Sequence, residues 1–269
     1  MPPRPRHTTR QRTRHRARQR TRDTARRGLG QHFLRDRRVA AEVCGLLRGS
    51  AAPVVDLGAG DGVLTAELLR SGRDVTAVEI DPRLARVLRQ RFGAAVRVVR
   101  ADMLRFSYPA PPYEVVSNVP YGITTAFLRS LFRADGWHRA ALITQWEVAR
   151  KRSGATMLTA AWWPWYDIEV VRRVPARAFR PVPRVDGGVL LLSRRREPLL
   201  APADRHDYQR LVEAVFTGKG AGLLGILRPY VSRNALRGWA RRYAVDLSGL
   251  PTDLTAAQWV SLYRLVSGR

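Results

Sequence analysis

The chain has 269 residues, of which 45% are hydrophobic, and its 48 Lys and Arg residues outnumber its 22 Asp and Glu residues, for a net charge of +26. This composition can supply a buried core, so disorder throughout is excluded, and the single cysteine, Cys44, excludes a disulfide scaffold or a Cys-built zinc site. The sequence has no apolar run near the ~20 residues of a membrane helix and no signal-peptide pattern. We therefore expect a cytoplasmic protein that holds no metal and is not inserted in a membrane.

The basic excess begins in the first segment. Residues 1–29 hold 11 Arg and one acid, Asp23, and have almost no side chains able to form a core, so we expect a disordered arm. The rest of the chain is also strongly positive. Such a protein attracts polyanions, of which nucleic acid is the commonest. The arm itself fits either an RNA-binding segment or a solvated tail.

After residue 35 the pattern is that of an α/β protein. Helical patterns alternate with short apolar runs, and this alternation favours a doubly wound parallel sheet with helices on both faces. The last two predicted strands have no obvious helix between them, so one edge of the sheet should be antiparallel. The predicted strands are 53–57, 74–80, 96–100, 114–117, 140–145, 167–174 and 187–193.

Beyond Pro198 the strand signals stop and only helical patterns follow. The last of them carries a capping box, with Thr255 and Gln258 ahead of apolar residues. We expect a sheet domain over residues 30–198 and a small helical domain over 199–269. Its predicted helices are 204–216, 222–231, 233–243 and 255–266.

An aromatic run precedes the strand predicted at 167–174. Trp162, Trp163, Trp165 and Tyr166 could form a platform on which bases stack, but they lie between apolar segments. Packing in the core is therefore the favoured interpretation.

A glycine-rich segment, DLGAGDG (56–62), joins the strand predicted at 53–57 to the next helix. Such a segment is either a tight connection or a place where the backbone approaches a ligand closely. Glu79 ends the next strand and Asp102 follows the third, so both reach the carboxyl edge of the sheet, where ligands bind. Together they favour a nucleotide-like cofactor, with Glu79 on its ribose. The glycines concerned are Gly58, Gly60 and Gly62.

The sequence Asn118-Val119-Pro120-Tyr121 follows the fourth predicted strand. On a surface it would be an ordinary turn, but at the carboxyl edge it suits methyl transfer to an exocyclic adenine amine. The Asn118 carboxamide oxygen and a backbone carbonyl, that of Val119, can accept both N–H bonds and aim the lone pair at a methyl donor. Tyr121 can stack on a base pulled out of its helix.

In order, these motifs resemble those of the ribosomal RNA adenine N6-methyltransferases, the superfamily of the erythromycin-resistance (Erm) enzymes and the housekeeping small-subunit dimethyltransferases. The resemblance covers about residues 28–269. It implies a Rossmann-like class I methyltransferase domain that uses S-adenosylmethionine, followed by a small C-terminal helical domain. Two further segments match the family, GQHFL (30–34) and FRPVPRV (179–185), although His32 stands where the first motif more often has Asn.

The resemblance also implies roles for single residues. Asn118, Tyr121 and Phe179 would be catalytic, with Phe179 lining the target-base pocket opposite Tyr121, and Glu79 would hold the ribose while Ile80 and Asp102 bind the adenine. Cofactor contacts are implied along the motifs at Gln31, His32, Phe33, Leu34, Asp56, Gly58, Gly60, Glu79, Ile80, Asp102, Met103 and Asn118.

Within the superfamily, residues 145–168 resemble the Erm branch of antibiotic-producing bacteria. This implies a monomer that methylates an adenine of 23S rRNA, naked or assembling, and confers macrolide, lincosamide and streptogramin B resistance. Three alternatives stay open: a housekeeping small-subunit rRNA dimethyltransferase, a DNA adenine methyltransferase and a non-catalytic RNA-binding factor that keeps the fold.

Overall fold

A computed structural model describes residues 32–110 and 112–268. Gln31 and the Arg-rich arm lie outside the described residues, so the predictions made for them are not addressed by the structure. Within the described ranges, no helix combines the length and the apolar character needed to cross a membrane.

The centre of the molecule is a seven-stranded mixed sheet in the order β4-β3-β2-β5-β6-β9-β7. The five strands from β4 to β6 are parallel, whereas β9 runs antiparallel to both β6 and β7, which confirms the predicted antiparallel edge. Each predicted strand is present. The strands are β2 (Val54–Leu57), β3 (Val75–Glu79), β4 (Arg97–Arg100), β5 (Tyr113–Asn118), β6 (Trp137–Gln145), β7 (Tyr166–Val174) and β9 (Gly187–Arg194).

A second, two-stranded sheet was not predicted. It pairs β1 (Phe33–Leu34) with β8 (Phe179–Arg180) in antiparallel register, so that Phe33 faces Arg180 and Leu34 faces Phe179. Each strand has only two residues, too few for a period of two to stand out in the sequence. This small sheet brings the segment before β2 next to the segment after β7.

Six helices of the described chain lie between the strands. Their ends follow local chemistry: the Asp36 carboxylate accepts the N–H groups of Arg38 and Val39 at the first helix, and Asp81 caps the third ahead of Pro82. The helices are α1 (Arg37–Gly45), α2 (Val63–Arg70), α3 (Pro82–Phe92), α4 (Thr124–Arg133), α5 (Trp146–Ser153) and α6 (Met157–Ala160).

In the described chain the regular elements after β9 are all helices, as predicted. The second of these helices ends at Leu227 and not at 231, because Pro229 lacks the N–H that would continue it. In the last one, the Thr255 hydroxyl accepts the Gln258 N–H and the Gln258 side chain accepts the Thr255 N–H, which confirms the capping box. The helices are α7 (Arg205–Thr217), α8 (Gly222–Leu227), α9 (Arg233–Arg242) and α10 (Ala256–Ser267).

A buried aromatic cluster connects the sheet to these last helices. Trp137 stacks on Tyr166 at 4.6 Å between ring centroids, and Trp165 meets Tyr208 of α7 edge to face. The Tyr208 hydroxyl donates to the Ala160 carbonyl at 2.8 Å. Core packing of the aromatic run is thereby confirmed. The aromatic cluster, as named below, comprises Phe132, Trp137, Trp162, Trp165, Tyr166 and Tyr208.

Candidate active site

A cavity of about 290 Å³ opens at the carboxyl edge of β2, β3, β4 and β5. These strands are parallel and adjacent, so the residues that end or follow them meet at one place, as the sequence predicted. The cavity is lined by His32, Phe33, Gly58, Gly60, Val78, Glu79, Ile80, Ala101, Asp102, Met103, Leu104, Asn118, Val119, Pro120, Tyr121 and Ile123.

The glycine-rich loop after β2 forms the floor of the cavity. Gly60 has φ +59°, and a Cβ at this position would lie 3.0 Å from the Phe33 ring. The third glycine differs, since Gly62 does not line the cavity and a Cβ there would lie 2.7 Å from Leu88 and 2.8 Å from Phe92. Gly58 and Gly60 are therefore placed to approach a ligand, whereas Gly62 allows α3 to pack closely. The expectation that Gly62 faces the ligand is not met.

Glu79 is a buried acid held by backbone. One carboxylate oxygen accepts the Gly60 N–H at 2.8 Å, and the other accepts the Asp81 N–H at 2.8 Å. Burial raises the pKa of Glu79, and these backbone hydrogen bonds oppose that rise. Each oxygen keeps a second lone pair, so the carboxylate can accept hydroxyl groups from a ligand in the cavity.

Asp56 is buried more deeply than Glu79. Its side chain is completely shielded from solvent, accepts the Thr65 hydroxyl at 2.5 Å and does not line the cavity. Burial raises the pKa of Asp56 to about 7, against the effect of the Thr65 hydrogen bond. The predicted direct cofactor contact is therefore not formed by this side chain, which instead fixes the start of α2 beneath the loop.

The far wall of the cavity combines an acid with apolar groups. Asp102 accepts the Leu104 N–H at 2.9 Å, and its other carboxylate oxygen is available to a donor. Ile80 is 54% exposed, an unusual state for a large apolar side chain, and Met103 lies across the floor beside Gly58. An exposed apolar surface beside a carboxylate suits a flat ring that carries an amino group.

Asn118 has a defined orientation at the end of β5. Its Nδ2 donates to the His32 carbonyl at 2.7 Å. Because a carbonyl can only accept, the amide nitrogen must face His32, and the carboxamide Oδ1 remains as an acceptor on a residue that lines the cavity. Sequence reasoning did not anticipate this contact, since the direction of a backbone carbonyl leaves no pattern in the sequence.

Tyr121 lies beside His32, with ring centroids 5.5 Å apart. The Tyr121 hydroxyl is buried and has no hydrogen-bond partner among the described residues. Burial raises the pKa of this hydroxyl to about 12, so the phenol stays neutral. The ring lines the cavity, as predicted for a residue that stacks on a base.

Two residues assigned to the site from the sequence lie behind it. Leu34 and Phe179 face each other in the β1–β8 pair, both are buried, and neither lines the cavity. The Phe179 ring packs against Gly187, where a Cβ would lie 3.0 Å away. In this structure Phe179 is therefore not a wall of the cavity, and Leu34 makes no contact there, because both side chains face the core side of the small sheet.

Comparison with known proteins identifies the family. A model of the ribosomal RNA adenine dimethylase family matches residues 22–267. The mycinamicin-resistance protein MyrB of Micromonospora griseorubida is 49% identical over 89% of this chain and 78% of its own length. A ribosomal RNA small subunit methyltransferase A of Synechococcus is 30% identical over 90% of the chain and 92% of its own. The chain is thus more similar to the resistance protein than to this small-subunit enzyme.

A solved structure agrees with the sequence comparison. The crystal structure of the 23S rRNA methyltransferase ErmE superposes with a TM-score of 0.81 at 35% identity and covers 87% of this chain and 99% of its own. A dimethyladenosine transferase of Plasmodium falciparum, 18% identical, has the same fold, with a TM-score of 0.69 over 86% of this chain and 96% of its own. The chain therefore belongs to the ribosomal RNA adenine dimethylase family of S-adenosylmethionine-dependent methyltransferases.

Proposed function

We propose that this enzyme transfers methyl groups from S-adenosylmethionine to N6 of one adenine in 23S rRNA, and that this protects the ribosome from macrolide, lincosamide and streptogramin B antibiotics. The observation that carries the proposal is the fixed Asn118 carboxamide at the end of β5, opposite the glycine-rich loop. The similarity to a mycinamicin-resistance protein and to a 23S rRNA methyltransferase supports the choice of target.

The chemistry of the cavity fits S-adenosylmethionine. When bound, this cofactor supplies the methyl group on a positively charged sulfur. Glu79 would accept the ribose hydroxyls, since both its oxygens keep a lone pair after binding the loop backbone. Asp102 would accept from the adenine amine, and Ile80 would cover the ring. Gly60 leaves space where a side chain would collide with Phe33.

The target amine would be aligned by acceptors alone. An exocyclic adenine amine is a poor nucleophile because its lone pair is delocalised into the ring. Accepting both of its N–H groups, at Asn118 Oδ1 and the Val119 carbonyl, would localise the lone pair and direct it to the methyl group. The amine proton becomes acidic as the new bond forms, so a separate general base is not required. Tyr121 would stack on the base.

Phe179 would support Asn118 indirectly, from behind the cavity. Its packing against Gly187 and its pairing with Leu34 hold β1 in place, and the residue before β1 supplies the carbonyl that orients Asn118. We propose a supporting role for Phe179 and Leu34 in place of direct contact.

The RNA backbone would approach beside the segment Asn118–Tyr121. Arg152 of α5 donates to the Thr125 hydroxyl at 2.9 Å, and Thr125 lies in the first turn of α4, four residues after Tyr121. Neither Arg152 nor Arg129, one turn further along α4, forms an ion pair with the described residues. Two neighbouring guanidinium groups without a carboxylate suit a phosphate.

We also propose that residues 199–269 form a helical unit packed on the sheet domain.

Expression in a macrolide-sensitive bacterium tests the proposal. We expect a dimethylated or monomethylated adenine in 23S rRNA, together with reduced drug susceptibility, and neither with the N118A variant. Methylation confined to small-subunit rRNA would assign the enzyme to housekeeping modification, and methylation of DNA would overturn the RNA target. The absence of any methylation, with the purified protein still binding S-adenosylmethionine, would favour a non-catalytic factor.

A further inference from the structure

We propose that His32 is a positioning residue for methyl transfer, which ties Asn118 to the segment after β8. The inference rests on the proposed function and deepens it. Asn118 Nδ2 donates to the His32 carbonyl at 2.7 Å, and His32 Nδ1 lies 2.8 Å from the Pro181 carbonyl. One residue therefore links the end of β5 to the segment that follows β8.

The hydrogen bond to Pro181 has only one possible direction. A carbonyl oxygen accepts and cannot donate, so His32 Nδ1 must carry the hydrogen and donate it. The side chain of His32 thus holds its own backbone in place with an N–H donor at the δ position. Tyr121, with its ring 5.5 Å away, limits the rotation of the imidazole from the other side.

The position of His32 in the chain explains why such an anchor is needed. The pairing of β1 with β8 starts at Phe33, opposite Arg180, so His32 lies one residue before the ladder. Its carbonyl is therefore not fixed by the pairing of these strands. The bond from the imidazole to Pro181 supplies the missing restraint, and it does so across 149 residues of chain.

The consequence for the reaction concerns the two ends of one carboxamide. Asn118 can present Oδ1 to the amine only while its Nδ2 has an acceptor on the other side. If the His32 carbonyl moves away, the amide can rotate and turn its N–H groups toward the amine, where donor would meet donor. The loss would fall mainly on alignment in the transition state. Although His32 and Asn118 also line the cavity, cofactor binding would change less, because Glu79 and Asp102, the groups proposed to hold the ribose and the adenine, are held by backbone hydrogen bonds of their own.

Side-chain geometry then predicts which residues can replace His32. The amide nitrogen of Asn lies at nearly the same distance from the backbone as Nδ1 of His, whereas that of Gln lies one bond further out and corresponds to Nε2. Asn therefore supplies the donor where Pro181 requires it and Gln does not.

The experiment compares H32A, H32N and H32Q with the wild-type full-length enzyme on a 23S rRNA fragment. We expect H32A and H32Q to lower kcat by about 10- to 100-fold, since small misplacements of an aligning group cost that much. H32N should recover most of the rate that H32A loses. The Kd for S-adenosylmethionine, measured by calorimetry, should change by less than about threefold in all three variants.

Three results would overturn the proposal. They are a wild-type kcat in H32A, equal activity of H32N and H32Q, or a loss seen in the Kd for S-adenosylmethionine without a change in kcat. Thermal unfolding of each variant identifies any that fails to fold, and the contrast between H32N and H32Q then decides, because both keep a polar amide. A wild-type enzyme that methylates no 23S rRNA would instead refute the proposed function, whatever the variants do.

Discussion

The cavity edge and the aromatic cluster are built in opposite ways. At the edge, single hydrogen bonds aim polar groups: Glu79 by two backbone N–H groups and Asn118 by one carbonyl. In the cluster, large rings are buried against one another, and Trp165 and Tyr208 add one hydrogen bond each to a backbone carbonyl. The direction of hydrogen bonds therefore positions the groups at the cavity edge, whereas the burial of apolar surface holds the cluster together.

The cluster therefore contributes mainly to the stability of the protein, and the cavity edge contributes mainly to its chemistry. Glu79 at the edge and Asp56 behind it are buried acids whose pKa values burial raises, so their ionised forms oppose folding. The cluster buries apolar area that offsets such costs. Substitutions of the polar groups that line the cavity should therefore change rates. Substitutions in the cluster, and at Asp56, which is buried behind the cavity, should change the free energy of unfolding. The predictions below are ordered from the largest effect to the smallest.

The largest effect is expected for N118A. Removing the carboxamide deletes an acceptor that aligns the amine, and kcat should fall about 10³-fold, equivalent to roughly 4 kcal/mol of activation free energy. The Kd for S-adenosylmethionine and the melting temperature should stay close to wild type. Single-turnover methylation of a 23S rRNA fragment measures the rate.

Asn234 provides the matched control, because it is an exposed Asn on α9, away from the residues that line the cavity. N234A should methylate at the wild-type rate. If N118A also kept a rate within about tenfold of wild type, the assignment of alignment to Asn118 would be wrong.

W165A should have the largest effect on stability. It empties a buried site, deletes the hydrogen bond from the indole to the Leu200 carbonyl and removes the edge contact with Tyr208. Substitutions of this type cost about 3–5 kcal/mol. Urea unfolding followed by circular dichroism measures the loss, and W165F, which keeps a ring, should lose less than half as much.

At a temperature where W165A is still folded, its kcat should remain close to wild type. A large fall in kcat with little change in unfolding free energy would show that the cluster takes part in the chemistry, and the division between the two regions would fail.

The sequence predicted the positions of some cavity residues correctly and of others wrongly. Glu79, Asp102 and Asn118 were assigned correctly to one edge because each ends or follows a parallel strand, and such ends meet by topology. Leu34 and Phe179 were assigned to the cavity but lie behind it, because a pairing over 145 residues decides which way their side chains point. The contact between Asn118 and His32 was not predictable, since it uses a backbone carbonyl.

D56N should stabilise the protein in a pH-dependent way. The pKa of Asp56 is raised from 3.8 to about 7 in the folded state, so its protonated form favours folding, and that contribution is lost as the pH rises from about 4 to about 7. Asn cannot ionise, and its oxygen can still accept the Thr65 hydroxyl. The variant should therefore gain about 1–3 kcal/mol over wild type at pH 8 and almost nothing near pH 4.

Urea unfolding of both proteins at pH 4, 6 and 8 measures this gap. T65V, which deletes the hydroxyl that Asp56 accepts, is the comparison variant and should lose stability at pH 8. A gap between D56N and wild type that narrows as the pH rises would contradict the assigned direction of the pKa shift.

R129Q should have the smallest effect. It tests whether the surface of the protein that binds RNA continues from the cavity edge onto α4. If Arg129 contacts one phosphate, the Kd for a 23S rRNA fragment should rise about threefold to tenfold at low salt, and the slope of log Kd against log salt should fall by about 1. Arg133, one turn further along α4 and also exposed, supplies the control, and R133Q should leave both quantities unchanged. Equal effects of the two substitutions would indicate a diffuse basic surface. A phosphate held at one place, beside the segment Asn118–Tyr121, would instead be lost in R129Q and kept in R133Q.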